Sequence, residues 1–191
     1  MKAIVIGGGW SGALAAAGLK SSFDQIIVLE RGQSSASRAI RAQGAQLHNL
    51  LSGGLRAAEA LLPGFGERLV ASGASLGDVS LDTHVFEAGT WMPRRSLGLS
   101  IASASRSLFE EAAWHLLRMH QQVALKPEFR ATELTLKDRR VTGVRVTDSQ
   151  GHSQILSADL IVDASGGSFR RGKELDVPIT RAHPNRWYAS F

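Results

Sequence analysis

The chain contains no cysteine. Disulfide staples, thiolate nucleophiles and cysteine-held metals are therefore excluded, and such a composition suits a reducing cytoplasm. It also lacks any run of roughly 18 apolar residues, the usual signal of a membrane-spanning helix. No dense block of one charge is present either. The 22 Lys+Arg against 17 Asp+Glu give a net charge of +5, and the basic residues come as scattered pairs such as Arg94–Arg95, Arg139–Arg140 and Arg170–Arg171. That pattern fits solvated arginines or arginines facing a phosphate-bearing ligand, and nucleic acid is not an expected partner. There is no His-Glu-x-x-His helix and no Gly-x-Ser-x-Gly elbow. The six histidines do not cluster at ligand spacing, so no metal is expected. Internal repeats and low-complexity tracts are absent.

What is present is an ordinary globular composition, 43% hydrophobic and 20% charged over 191 residues, enough for one or two domains with a sizeable core. The stretch from Ala3 to Leu19 is small and apolar and resembles a signal peptide. Glycines interrupt it, no Ala-x-Ala site ends it, and a strand pattern follows at once. Ala3-Ile4-Val5-Ile6 reads as a strand buried on both faces, as in parallel sheets. Gly7-Gly8-Gly9 ends it, the alanine-rich segment from Ser11 to Lys20 reads as a helix, and Gln25–Glu30 reads as a second buried strand. The result is a right-handed βαβ unit.

Further along, residues 47–62 read as a helix stopped by Pro63-Gly64, and residues 67–72 as a short helix. Residues 79–91 read as a strand pair. The segment 107–120 reads as the strongest helix, with Ser107 and Glu110 at capping-box spacing and an apolar face of Phe109, Ala113, Leu116 and Leu117. Residues 123–125 form a short strand. The alternating segments 130–136 and 141–146 form a hairpin around Lys137-Asp138-Arg139-Arg140, with residues 154–156 as a third strand. Leu160-Ile161-Val162-Asp163 is another buried strand, running into Ala164-Ser165-Gly166-Gly167.

Gly7-x-Gly9-x-x-Gly12 follows a strand, opens a helix, and has Glu30 at the tip of the next strand. This is the context that turns a glycine pattern into a dinucleotide fingerprint. Gly7 permits the tight turn, Gly9 lets backbone approach a pyrophosphate, and Gly12 lets helix and strand pack closely. The helix N-terminus, which Ser11 opens just after Trp10, offers amides and partial positive charge to a diphosphate. Trp10 either shields that diphosphate or packs. Glu30 is placed for ribose hydroxyls and repels a 2′-phosphate, which disfavours NADP there. Arg31 stands beside it. This motif alone does not separate FAD from NAD.

Three further segments carry a resemblance. Residues 41–51, Arg-Ala-Gln-Gly-Ala-Gln-Leu-His-Asn-Leu-Leu, are similar to a segment with an arginine, Pro-Gln, two spaced histidines and Leu-Leu, with Ala42 and Gln46 departing from it. Residues 105–110, Ser-Arg-Ser-Leu-Phe-Glu, resemble a segment in which an arginine opens a long helix. Residues 160–166 resemble a strand ending in Asp-Ala-Thr/Ser-Gly. Together they resemble the FAD-dependent monooxygenases of the aromatic hydroxylase and squalene epoxidase type.

The resemblance implies an α/β, Rossmann-like FAD-binding domain with a βαβ start, a parallel sheet and an inserted β-meander. It implies Arg41 near the flavin side of the cofactor, and Arg106, Asp163 and Gly166 against the FAD. A guanidinium at a helix start also opposes the helix dipole, which points to an external anion. FAD is the expected cofactor and NAD(P)H the transient reductant, with O2 used to oxygenate a small organic substrate. No catalytic side chain is expected among these residues, since the flavin carries the chemistry. Family members run to about twice this length and hold a Gly-Asp motif not found here. Residues 1–178 are thus expected to be the FAD-binding domain, with helical and β insertions at 47–100, and 179–191 to begin a substrate-binding sheet completed elsewhere or by a second polypeptide. A reductase or halogenase of the same superfamily, or a non-catalytic dinucleotide-binding fragment, are the alternatives. The Trp-x-Trp-x-x-Pro stretch of a halogenase is not seen.

Overall fold

The computed structural model describes residues 1–32, 45–166 and 175. The chain opens with β1 (Lys2–Ile6), α1 (Trp10–Leu19) and β2 (Gln25–Glu30), the expected βαβ unit. β1 and β2 run parallel, with Ala3 opposite Ile26 and Ile6 opposite Leu29. Four small buried residues of α1, Gly12, Ala13, Ala16 and Ala17, let the helix lie close on the sheet.

The next segment departs from expectation. Residues 47–51 are not helical but form β3 (Leu47–Leu51), and helix begins only with α2 (Ser52–Leu61). β3 pairs antiparallel with a strand more than fifty residues later, Leu47 facing Ser105 and Leu51 facing Ile101. That distant ladder supplies hydrogen bonds that local propensity does not register. α3 (Phe65–Ala71) follows, shifted slightly from the expected 67–72. Then come β4 (Ser75–Asp78), the small pair β5 (Phe86–Glu87) and β6 (Thr90–Trp91) within the expected 79–91, and β7 (Ser100–Ser105). β7 is the centre of the sheet β3-β7-β4.

α4 (Arg106–Leu117) follows β7 directly. Its N-cap is Ser105, whose side chain accepts from the Leu108 amide. The expected capping box from Ser107 to Glu110 is replaced, because the cap lies two residues earlier, at Ser105, and Glu110 turns inward. β8 (Val123–Pro127) joins the outer edge of β2. The meander β9 (Arg130–Lys137), β10 (Arg140–Thr147) and β11 (Ser153–Ser157) then forms as expected. Its first turn places Asp138 and Arg139 at φ 50° and 62°, the left-handed pair of a two-residue hairpin. β12 (Leu160–Asp163) returns beside β1 to give the parallel order β12-β1-β2-β8.

The unbroken apolar character of β1 and β2 follows from what covers them. On one face Ala3, Val5, Ile26 and Val28 share a core with α1, Phe65, Phe109, Trp114 and Leu117. On the other, Ile4, Ile6, Ile27 and Leu29 pack against Leu134, Val144 and Val146 of the meander. Each such fully buried Ile, Val or Leu contributes about 1.5–3 kcal/mol relative to exposure. Among the described residues no helix is long and apolar enough to cross a membrane. Arg41, the boundary after residue 178 and the segment 179–191 lie outside the described residues.

Candidate functional site

β1 lies between β12 and β2, so the turns leaving β1 and β12 meet at the carboxyl ends of the parallel strands. Open α/β sheets bind ligands in such a crevice. The Gly7 amide donates to the Leu29 carbonyl (2.8 Å) and the Ala164 amide to the Ile6 carbonyl (2.8 Å), which fixes both turns to the sheet. A Cβ on Gly7 would lie 2.5 Å from the Ala164 carbonyl oxygen, and Gly7 has φ +103°. A Cβ on Gly12 would lie 1.8 Å from the Gly7 carbonyl oxygen. The two glycines thus permit the first turn to press against both the second turn and α1.

Above this turn the first-turn amides of Ser11 and Gly12 have no carbonyl four residues back inside the helix. Among the described residues neither makes a hydrogen bond, whereas the Ala13 amide bonds the Gly9 carbonyl (2.9 Å). Gly9 is the N-cap of α1 and supplies no side chain, and the first turn holds no acidic residue. The turn therefore presents bare donors at the positive end of a helix, the arrangement that suits a diphosphate.

Glu30, 5% exposed, ends β2 beside this turn. One carboxylate oxygen accepts from the Gly8 amide (2.9 Å) and the other from the Gly32 amide (2.9 Å). Arg31 next to it is exposed. On the β12 side, Asp163 accepts from the Ser165 amide (2.9 Å), and Gly166 closes the turn at φ +66°. Gly7, Ser11, Gly12, Glu30, Asp163 and Gly166 are thereby gathered at one end of the sheet.

The Trp10 ring packs between Phe65 and Phe109, with centroids 5.5 and 6.0 Å away. Arg106 opens α4 and gives its Nε–H to Glu110 Oε1 (3.3 Å). The same oxygen accepts from the Trp10 amide (3.1 Å), so Arg106 stands beside the first turn of α1. The charge left unmatched at the start of α4 thus has a carboxylate on the next turn. Three participants were not singled out as site residues from sequence: Gly8, Glu110 and Trp114, whose indole N–H donates to the Gly8 carbonyl (2.8 Å). The signal for Glu110 and Trp114 was the i, i+4, i+8 stripe they form with Arg106 on one helix face.

No group of three or more potential metal ligands occurs among the described residues. A separate open groove, lined by Lys2, Lys137, Arg140, Thr142 and Asp159, lies at the amino end of β1, away from the crevice.

Solved structures with this architecture include FAD-dependent enzymes. PqsL of Pseudomonas aeruginosa, described as a probable FAD-dependent monooxygenase, is 20% identical and covers 96% of this chain at a TM-score of 0.69. A variant of 2-methyl-3-hydroxypyridine-5-carboxylic acid oxygenase is 26% identical over 90% of the chain at 0.62. The fold is that of the FAD-dependent monooxygenases. The myxobacterial chondrochloren halogenase CndH, a variant of the FAD-dependent halogenases, shares this flavoprotein fold at 21% identity over 88% of the chain and a TM-score of 0.68. The chain spans 48%, 42% and 38% of the lengths of these three proteins. No protein-family model and no curated sequence matches it.

Proposed function

We propose that this chain is the FAD-binding portion of a flavin-dependent monooxygenase. The observation that carries the reading is the glycine turn clamped between β1, β12 and α1, with bare amides above it and Glu30 beside it. The residues fit the cofactor's ADP half. The Ser11 and Gly12 amides would hold the diphosphate, with Arg106 alongside and Gly9 offering no side chain in the way. Glu30 would take the ribose hydroxyls. A carboxylate has about four acceptor positions, so its two amide bonds are compatible with a ribose contact, and its charge disfavours a 2′-phosphate. Asp163 and Gly166 would border the cofactor from β12, and Arg31 and Arg41 complete the binding set. When bound, the flavin supplies redox chemistry with NAD(P)H and O2 that places oxygen on a small organic substrate.

In this reading the substrate-binding half lies outside these residues, in the same polypeptide or a second one, and a reducing cytoplasm is the setting. The likeness to CndH supports a halogenase as the second reading.

The test is direct. Purified protein titrated with FAD should quench flavin fluorescence and retain flavin absorbance, and the absorbance should bleach with NADH or NADPH once the substrate half is supplied. A folded protein that takes up no FAD overturns the proposal.

A further inference from the structure

The N-terminus of α1 has no cap of its own, yet its first amide is satisfied from a hundred residues away. Glu110, 3% exposed, reaches across from α4 and accepts the Trp10 N–H on Oε1 at 3.1 Å. One turn further along α4, Trp114, 1% exposed, takes the Gly8 carbonyl. The Gly8 amide goes to Glu30. The turn at residues 8–10 is thus held through three of its backbone polar groups by side chains that point inward. A buried carboxylate at this place is costly unless paired. Arg106 and the Trp10 amide supply the pairing on the same oxygen.

We propose that Glu110 is a positioning residue for diphosphate binding. It takes the first amide of α1 and so sets the direction of the next two, Ser11 and Gly12, without touching the ligand itself. The inference rests on the dinucleotide reading above and assigns the geometry of that site to a residue on a different helix. The chemistry of the contact separates Glu110 from Glu30. Both observed bonds of Glu110 end on Oε1, so a glutamine keeps them. Glu30 uses both oxygens as acceptors, so a glutamine there turns a donor toward an amide.

The experiment compares wild type, Glu110→Ala and Glu110→Gln by FAD titration, ADP titration and amide hydrogen exchange at Trp10. Glu110→Ala should speed exchange at Trp10 and weaken FAD and ADP by the same factor, roughly tenfold or more. Glu110→Gln should restore both affinities. A residue with a purely structural role would lower the unfolding temperature and leave the affinities of the folded protein unmoved. The proposal is overturned if folded Glu110→Ala binds both ligands like wild type, if FAD weakens and ADP does not, or if Glu110→Gln fails to restore binding. Should the alanine variant not fold, Glu110→Asp, a methylene short of Trp10, carries the same comparison. Wild type that binds neither ligand brings down the nucleotide reading itself and this proposal with it; wild-type binding with an indifferent alanine variant brings down this proposal alone.

Discussion

Replacing Gly12 with alanine tests the close approach on which the crevice depends. The added Cβ would lie 1.8 Å from the Gly7 carbonyl oxygen and 2.9 Å from its carbon. A relaxed carbon–oxygen contact is about 3.3 Å or more, so α1 or the turn must move by roughly 1.5 Å. Both sides of the clash are backbone, and no side-chain rotation relieves it. Overpacking of this kind costs about 1–3 kcal/mol, and the upper end applies. The better helix propensity of alanine offsets about 0.5–1 kcal/mol. The net expectation is a loss of about 2 kcal/mol. The same displacement takes the Ser11 and Gly12 amides out of reach of a phosphate, since N–H···O bonds span about 2.7–3.2 Å. FAD affinity should fall by roughly a hundredfold or more. Gly18 is the internal control. It lies in the same helix, and a Cβ there would meet only Leu61 Cδ2 at 3.8 Å, an ordinary contact. Gly18→Ala should therefore stabilise by about 0.5–1 kcal/mol and leave FAD binding alone. Urea unfolding followed by tryptophan fluorescence, together with FAD titration, reads both variants. A Gly12→Ala protein as stable as Gly18→Ala, and binding FAD like wild type, refutes the reasoning.

Other outcomes follow from the same contacts. Glu30→Ala leaves the Gly8 and Gly32 amides without their carboxylate and should cost about 1–3 kcal/mol for each unpaired group, with weaker FAD binding. Glu30→Gln should not rescue it, and full recovery in the glutamine variant would contradict the two-oxygen geometry. Trp114→Phe removes the donor to the Gly8 carbonyl; a loss of about 1–3 kcal/mol of stability in urea unfolding is expected, and an unchanged midpoint counts against the bond. The Ser80 hydroxyl, then the Ser96 hydroxyl and the Ser80 and Gly98 amides, hold the Asp78 carboxyl well below the usual carboxylate range. A depressed folded value means stability that is present above the unfolded value of about 3.9 and is lost as pH falls from there toward the folded value. Asp78→Asn should be less stable than wild type at neutral pH and should converge with it on acidification. Urea midpoints that stay equally far apart from pH 7 to pH 2 would exclude this.

Much of the site was legible because its signals are local. A β-branched run, three glycines, an alanine-rich helix and a second apolar strand ending in Glu30 lie within thirty residues, and the structure places β1, α1 and β2 as read. The meander was equally plain from its alternation and turn. The segment 47–51 was not, since Leu-His-Asn-Leu-Leu satisfies a helical pattern as well as an extended one. Its state is decided by β7, which lies about fifty residues away and makes the ladder.

The sequence by itself determined that a bare turn meets a helix start and that an acid ends the neighbouring strand, because chain connectivity alone enforces those adjacencies. Only the tertiary structure decided what holds the turn. Ser105 caps α4 in place of Ser107, and packing against α1 and its turn directs Glu110 and Trp114 inward. Hydrogen bonds between residues a hundred positions apart depend on helix packing angle and register, and neither leaves a periodicity in the chain.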